Sequence, residues 1–369
     1  MPPSRPVPTL PPDFTVTATS QLTSLWSNYG HTYRLHLSSQ PNSLILKSIH
    51  PPVLDHPDES HLRKLLSYDI ERWFYHSLAK HVPPTVKLAR PYPVLTDNEH
   101  NLLLEDLSVE FPFPARGSLG REGTICVLKW LAGFHGTFFQ IYPARGSNGA
   151  VPPLIPPPNK WKQGSETAGI WQRGTYWYLE TRRKELAEIN EEEYGWLLPW
   201  VEKVNDAVDR EIHRYGTLVH GDVKGENIVF NQDLYSRRKG KPAAKAETST
   251  ELKCALYDLQ YVGLGLPALD LVYFLGTSVE SSLLSSHTDE KALLETYHAV
   301  FLESLSSSTS KDGNDPMYDF ETFWKHWEFA IVDWYRFMAG WGFWGNDRWT
   351  ERRAREIVMK WKAAKVEQL

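Results

Sequence analysis

An aspartate and an asparagine stand five residues apart in an apolar frame, the segment L-V-H-G-D-V-K-G-E-N-I-V-F at residues 218–230. Gly221, between His220 and Asp222, favours a tight turn because glycine relieves backbone strain there. Transfer of a phosphoryl group from ATP to a hydroxyl needs a carboxylate that takes the hydroxyl proton, and oxygen ligands for magnesium. The segment therefore predicts the catalytic loop of an ATP-dependent phosphotransferase.

A second acid follows at the end of the apolar run C-A-L-Y-D-L, where Asp258 precedes Leu259 and Gln260. Further on, Y-V-G-L-G-L-P-A-L-D-L-V-Y-F-L places Asp270 at a predicted helix start. An acid at that position is expected to cap the helix and to accept amide N–H groups of the loop. His220 is expected to hydrogen-bond backbone and so to shape the loop.

The secondary structure that must position these groups is predicted to change from strands with one helix to mainly helices along the chain. Strands are predicted at 32–37, 43–49 and 102–107, with the first two forming a hairpin. One long helix is predicted at about 59–81 because apolar residues recur there at three- and four-residue steps. After a Pro- and Gly-rich break, helices are predicted at 123–140, 176–189, 196–215, 270–285, 289–305, 319–338 and 350–365.

The ordered set of motifs resembles the family of choline kinases, aminoglycoside phosphotransferases and ecdysteroid-kinase-like proteins. His220-Gly221-Asp222 and Asn227 match the loop of that family, and Asp258-Leu259-Gln260 matches the aspartate-x-glutamine variant of its ecdysteroid-kinase-like branch. The resemblance extends from about Trp26 to the helices after Asp270. It implies an α+β, two-lobed protein-kinase-like fold with ATP and Mg²⁺ as cofactors.

The resemblance also assigns site residues. It implies that Asp222 is the catalytic base and that Asn227 and Asp258 are the metal ligands. Lys47 matches the strand lysine that contacts the ATP phosphates, and Glu71 matches the helix glutamate that pairs with it. The nucleotide would also meet the hinge, at Glu105, Asp106 and Leu107, where backbone groups receive adenine.

The expected organisation is a disordered lead at 1–12, an ATP-binding lobe at 13–107 and a catalytic and acceptor-binding lobe at 108–369. Two features depart from the family pattern. The phosphate-covering turn S-N-Y-G-H-T-Y contains only one glycine, Gly30. About 30 residues separate Asn227 from Asp258, more than a plain hairpin needs, and a basic loop at 236–245 accounts for much of the excess.

Several other residues have structural interpretations. His135 lies in an apolar helix and is expected to be a core histidine. Two interpretations stay open for Lys224 and Glu226, namely contact with the acceptor or the phosphates, and plain solvent exposure. The aromatic segment near the C-terminus is expected to be mostly core, with Trp327, Trp334 or Trp341 as candidate walls of an acceptor pocket. The aromatic excess favours a bulky, apolar alcohol as acceptor over choline or an aminoglycoside.

Composition limits the partners. The net charge of −5 gives no reason to expect nucleic acid or an anionic membrane. Cys126 and Cys254 are too few for a disulfide framework and predict buried thiols in a reducing compartment. No secretory signal and no run of 18 apolar residues is present, so a cytoplasmic protein is expected.

Three other functions compete with the small-molecule kinase. A catalytically inactive kinase-fold scaffold is disfavoured because the base, both metal ligands and the lysine are all present. A hydrolytic metal site around His220, Asp222 and Asp258 would leave Lys47 and Asn227 unexplained. A protein kinase would have Arg before the aspartate and an Ala-Pro-Glu element, and the sequence has neither.

Overall fold

The computed structural model describes residues 10, 13–54, 57–94, 100–139, 152–162, 164–235, 251–306 and 318–369. Except for Leu10, the predicted lead at 1–12 lies outside these residues. The predicted basic loop at 236–245 also lies outside them. No helix within the described ranges is long and apolar enough to cross a membrane.

The N-terminal part is built on a five-stranded antiparallel sheet with the strand order β1-β2-β3-β5-β4. The strands are β1 Val16–Ser24, β2 Gly30–Leu37, β3 Ser43–Ile49, β4 Pro91–Tyr92 and β5 Leu102–Glu105. The predicted hairpin of β2 and β3 is confirmed, with Leu35 paired to Leu44. Both side chains are fully buried, so alternation of apolar residues set the register.

Strand β1 was not predicted, because it carries almost no apolar alternation. Its sequence is V-T-A-T-S-Q-L-T-S, and nearly every residue is exposed at the edge of the sheet. Strand β5 ends earlier than predicted, at Glu105. The reason is that the Asp106 carboxylate accepts the amide N–H of Ser108 and begins a 3-10 turn.

Helix α1, Glu59–Ser77, crosses this part of the molecule. The Asp58 carboxylate accepts the amide N–H of His61 and caps the helix. Ile70 and Phe74 are buried in the same apolar cluster as Leu102 and Leu104 of the sheet. The helix is therefore held in place by burial of its apolar face, as its periodicity predicts.

The C-terminal part is mainly helical. Its helices are α2 Arg121–Thr137, α3 Arg183–Ala187, α4 Glu191–Tyr194, α5 Leu198–Tyr215, α6 Pro267–Ser278, α7 His287–Ser306, α8 Phe320–Trp341 and α9 Asp347–Ala363. The predicted α+β architecture, a small sheet-rich lobe and a larger helical lobe, is confirmed. The boundary between residues 107 and 108 stays a prediction.

Two small sheets hold the chain around the predicted catalytic loop. The first has the order β11-β10-β6, with β6 Phe113–Pro114, β10 Ile228–Phe230 and β11 Cys254–Leu256. The second has the order β7-β8-β12-β9, with β7 Leu154–Ile155, β8 Ile170–Trp171, β9 Thr217–Val219 and β12 Gly263–Gly265. The loop runs from β9 in one sheet to β10 in the other.

Two helix predictions were wrong in extent. In the segment 176–189 only α3 and a 3-10 turn form, because the carbonyl of Tyr176 accepts hydrogen bonds from the Arg182 guanidinium rather than from a helical amide. The helix predicted at 270–285 begins at Pro267 and ends at Ser278. It ends there because Val279 is extended and the N–H of Glu280 donates to the carbonyl of Leu119.

Candidate active site

The turn at Gly221 is one that only glycine accommodates. Its φ of 84° lies in the left-handed region, and a methyl group there would lie 2.3 Å from the carbonyl oxygen of Tyr261. The chain therefore reverses sharply after His220 and brings Asp222 back toward the interior, where it is 4% exposed.

Helix α6 holds the backbone of this turn. The Asp270 carboxylate accepts the amide N–H of His220 at 2.6 Å and that of Gly221 at 2.8 Å. Nε2 of His135 lies 3.0 Å from the same carboxylate, and Nδ1 of His135 lies 2.7 Å from the hydroxyl of Tyr297. Asp270 thus accepts the loop amides as predicted, and His135 is a core histidine with two partners. Asp270 does not cap α6, whose N-cap is Leu266.

His220 shapes the loop as predicted. Its Nε2 lies 3.1 Å from the carbonyl oxygen of Tyr257, and its Nδ1 accepts the amide N–H of Asp222 at 3.4 Å. Burial lowers the pKa of His220, because the charged imidazolium would lose its solvation. A neutral ring that donates to one carbonyl and accepts one amide fits this environment.

Three donors converge on the Asp222 carboxylate. Oδ1 accepts the Tyr273 hydroxyl at 2.9 Å, while Oδ2 accepts Lys224 Nζ at 2.9 Å and Asn227 Nδ2 at 3.1 Å. Asn227 Nδ2 also donates to the Asp222 carbonyl at 2.9 Å, so the two residues are locked together. Burial alone would lower the pKa of Lys224, but the Asp222 carboxylate outweighs it and raises that pKa. Lys224 is therefore not merely solvent-exposed.

Asp258 lies two residues after the end of β11 and has a φ of 69°, in the left-handed region. Such a conformation is uncommon for a residue other than glycine, although aspartate tolerates it better than most. Its Oδ1 lies 2.6 Å from Lys47 Nζ. Burial would raise the pKa of Asp258, but Lys47 outweighs burial and lowers it.

Lys47 on β3 joins two carboxylates from distant parts of the chain. Its Nζ lies 2.6 Å from Glu71 Oε2 on α1, while Glu71 Oε1 accepts the amide N–H of Leu259 at 3.2 Å. Burial would lower the pKa of Lys47, but Asp258 and Glu71 outweigh it and raise it. Burial also raises the pKa of Glu71, which is 1% exposed. The structure thus brings together Lys47, Glu71 and Asp258.

The cluster around Asp222 and the cluster around Lys47 face the same region of the molecule. The amide N–H of Tyr257, beside Asp258, donates to the Asn227 carbonyl at 3.2 Å. Both Asp222 and Asp258 act electrostatically on Lys224. Five of the residues that the sequence singled out therefore converge: Lys47, Glu71, Asp222, Asn227 and Asp258. Tyr273 was not anticipated, because nothing in its local pattern distinguishes it from other aromatic residues of a buried helix.

The side chains of the predicted hinge have structural partners. Glu105 accepts Lys87 Nζ at 2.8 Å, and Asp106 accepts Arg34 Nε at 2.7 Å and the Ser43 hydroxyl at 2.7 Å. Burial would raise the pKa of Asp106, but these hydrogen bonds outweigh it and lower that pKa. Leu107 is buried. Some backbone groups of the segment are also paired within the protein, since the Glu105 amide donates to the Arg90 carbonyl and the Asp106 carbonyl accepts the Val109 amide. The role of this segment as the adenine-binding hinge stays a prediction.

Two of the three candidate tryptophans are core residues. Trp327 and Trp334 are fully buried, and Trp327 Nε1 donates to Glu290 Oε1 at 2.7 Å. Neither can wall an open acceptor pocket, so that interpretation was wrong for them. Trp341 is 44% exposed, and its ring centroid lies 6.0 Å from that of Tyr176. Tyr176 contacts the predicted catalytic loop, because its amide N–H donates to the Gly221 carbonyl at 2.9 Å.

The chain is similar to several known proteins. The model of the ecdysteroid kinase-like family matches residues 31–309. Among solved structures, a choline kinase from Cryptosporidium parvum is similar at 9% identity over 94% of this chain and 90% of that chain, with a TM-score of 0.49. An ethanolamine kinase from Plasmodium vivax is similar at 13% identity over 95% of this chain and 85% of that chain, with a TM-score of 0.45.

No curated protein matches the chain. Because the family model spans most of the sequence, the chain belongs to the ecdysteroid kinase-like family.

Proposed function

We propose that this protein transfers the γ-phosphate of ATP to a hydroxyl group of a small molecule. The observation that carries the proposal is the convergence of Lys47, Glu71 and Asp258 beside the linked pair Asp222 and Asn227. These residues come from both parts of the chain. Phosphoryl transfer uses this set of a cation, a metal-binding carboxylate and a base.

The oxygen donors fit Mg²⁺. Asp258 contributes a carboxylate that is 28% exposed, and Asn227 contributes its amide oxygen, because its amide nitrogen is used by Asp222. In the ranges that the structure describes, no group of three or more His, Cys, Asp or Glu residues forms a metal site. Mg²⁺ prefers one or two carboxylates together with phosphate oxygens and water, so a sparse protein set agrees with it. When bound, the ion would neutralise charge on the phosphates.

The proposed base is Asp222. Its carboxylate is oriented by donors on both oxygens. It would accept the proton of the acceptor hydroxyl as that oxygen bonds to the γ-phosphorus, while the bond from the γ-phosphorus to the β–γ bridging oxygen breaks and ADP leaves. Lys47 would contact the phosphates. Its ammonium group has three N–H donors, of which two reach Glu71 and Asp258, so one is left for a phosphate oxygen. Glu71 would retain its contact and so limit how far the lysine moves.

We infer that the acceptor is a bulky, largely apolar alcohol. Exposed aromatic rings lie beside the catalytic loop: Trp341 and Trp26, 44% and 63% exposed, both lie near Tyr176. Beneath them lies Arg182, whose guanidinium carbon is 4.4 Å from the centroid of Tyr176 and 4.8 Å from that of Trp341. The guanidinium is paired with the Glu185 carboxylate at 3.2 Å, so the argument for the acceptor rests on the flat rings, which bind an apolar skeleton.

Nucleotide binding tests the proposal without knowledge of the acceptor. Calorimetric titration of the full chain with ATP, in Mg²⁺ and in excess chelator, should give tighter binding with the metal. The Asp258→Asn variant should lose most of this metal dependence, while Asp289→Asn, at a partly exposed aspartate in the first turn of α7, should behave as the wild type. Absence of nucleotide binding, or equal metal dependence in Asp258→Asn, would contradict the proposal.

A further inference from the structure

Helix α6 contacts the catalytic loop through three side chains along its length. Asp270 accepts the amides of His220 and Gly221, and the Ser278 hydroxyl accepts the amide N–H of Gly225 at 2.9 Å. Between them, the hydroxyl of Tyr273 donates to Asp222 Oδ1 at 2.9 Å. Asp270 and Tyr273 are three residues apart and lie on the same face of the helix. The first fixes the loop backbone, and the second reaches the carboxylate that this backbone carries.

The Tyr273 ring has little freedom to move. The residue is 3% exposed, and its ring centroid lies 4.8 Å from that of Trp334, which is itself fully buried. Trp334 packs in turn against Gly276 on the same helix, with Nε1 2.9 Å from where a methyl group would lie. Burial raises the pKa of Tyr273 well above its usual value, so the hydroxyl remains protonated and available as a donor.

The other two donors to Asp222 have further roles. Lys224 is 35% exposed on a long flexible side chain and is also attracted by Asp258. Asn227 is a proposed metal ligand, so its amide is expected to adjust when the nucleotide arrives. Tyr273 has no such competing role. Its buried ring makes Tyr273 the most rigid of the three donors to the Asp222 carboxylate.

We propose that Tyr273 is a positioning residue that fixes the Asp222 carboxylate in the orientation needed to accept the acceptor's proton. The inference rests on the proposed function, since it assigns Asp222 as the base. Its expected kinetic signature is a loss in the chemical step without a loss of nucleotide binding. A misdirected base slows proton transfer, while Tyr273 makes no contact with Lys47 or Asp258 that would alter the nucleotide site.

The first test removes only the hydroxyl, in Tyr273→Phe. With the best acceptor from a screen, or with water as acceptor in slow ATP hydrolysis, kcat should fall about 10- to 100-fold while KM for ATP stays within about twofold. Replacement of Tyr273 by 4-aminophenylalanine, which retains a donor at the same place, should recover a large part of kcat. Wild-type kcat in Tyr273→Phe, or no recovery with the amino analogue, would overturn the inference.

Tyr318→Phe is the matched control. Tyr318 is also buried, and its hydroxyl lies 2.8 Å from His326 Nδ1, away from the catalytic loop. Both variants lose one buried hydrogen bond, so their Tm values should fall by a similar amount. Only Tyr273→Phe should lose kcat. Equal losses of kcat in the two variants would mean that Tyr273 acts through general stability, and would overturn the inference.

A second measurement does not depend on activity. Crystal structures of the wild type and of Tyr273→Phe should show the Asp222 carboxylate in one orientation in the first, and rotated or disordered in the second. An unchanged carboxylate in the variant would overturn the positioning role even if the protein consumed no ATP. Lack of ATP consumption by the wild type would instead contradict the proposed function, so the two failures are distinguishable.

Discussion

Lys47 Nζ lies 2.6 Å from Asp258 Oδ1, although 211 residues separate the two in sequence. The same ammonium group lies 2.6 Å from Glu71 Oε2. One cation therefore compensates two carboxylates, that of Glu71 on α1 and that of Asp258, two residues after the end of β11. This relationship makes Lys47 important for stability as well as for the proposed chemistry.

Replacement of Lys47 should destabilise the protein. In Lys47→Met the buried Glu71 carboxylate, 2% exposed in its side chain, would lose its cation, and breaking such a pair typically costs about 3 kcal/mol or more. Urea denaturation should show this loss in the free energy of unfolding. Lys291→Met, which breaks an exposed ion pair with Glu295, should change it by less than about 0.5 kcal/mol. Equal effects of the two substitutions would contradict the account.

The Asp270 carboxylate should be required for the shape of the catalytic loop. Both carboxylate oxygens of Asp270 now accept an amide N–H, one from His220 and one from Gly221. In Asp270→Asn only one oxygen remains, and the side-chain NH₂ group would face the other amide N–H. We expect a loss of about 1–3 kcal/mol in unfolding free energy, with reduced ATP turnover. In Asp319→Asn, a substitution at the N-cap of α8, Tm should be unchanged because asparagine caps equally well. An unaltered loop and full activity in Asp270→Asn would contradict the role of α6.

The exposed aromatic residues should govern acceptor affinity. Trp341→Ala and Trp26→Ala should each raise KM for an apolar acceptor about tenfold. KM for ATP should change less in Trp341→Ala than in Trp26→Ala, since Trp26 directly precedes the turn expected to cover the phosphates. Met359→Ala, an exposed apolar residue of α9, should change neither constant. If steady-state kinetics show no change in acceptor KM for Trp341→Ala, the aromatic surface is not the acceptor site.

Stability should fall as the pH falls below neutrality. Burial lowers the pKa of four described histidines, namely His61, His220, His298 and His326. Their folded-state pKa values lie below the unfolded value of about 6.5, so the unfolded chain binds more protons in this range. The contribution is complete above about pH 6.5 and is lost as the pH falls from there through the folded-state values.

Calorimetric Tm values between pH 7.5 and 5.5 test this sign. We expect Tm to decrease over that interval, and the decrease to be smaller in His298→Gln than in the wild type. His31→Gln changes an incompletely buried histidine of β2 and should leave the slope as it is. A Tm that stays constant or rises toward pH 5.5 would contradict the burial of these rings as neutral groups.

Much of the candidate site was accessible from sequence because its residues lie in short motifs. Asp222 and Asn227 belong to one loop, and Asp258 belongs to a short apolar segment, so their motifs could be matched to those of the family. Lys47 and Glu71 were selected because they match the strand lysine and the helix glutamate of the same family. That these residues converge became visible only in the structure.

Other features depended on tertiary contacts that local patterns do not encode. Tyr273 looks like any aromatic residue in an apolar helix, and its contact with Asp222 arises from the crossing of α6 and the loop. Trp327, Trp334 and Trp341 share one helix and one residue type, yet only Trp341 is exposed, because it ends the helix beside Gly342. An exposed edge strand such as β1 lacks the alternation that makes buried strands recognisable.

The central claim is that Asp222 acts as the base of an ATP-dependent phosphotransferase. The most direct measurement is ATP consumption by the full chain against a panel of small-molecule alcohols, with Asp222→Asn assayed in parallel and each product identified by mass. The account predicts that the wild type phosphorylates at least one apolar alcohol, that Asp222→Asn still binds ATP, and that its turnover falls at least about 100-fold. Equal turnover by wild type and Asp222→Asn on every acceptor would contradict it.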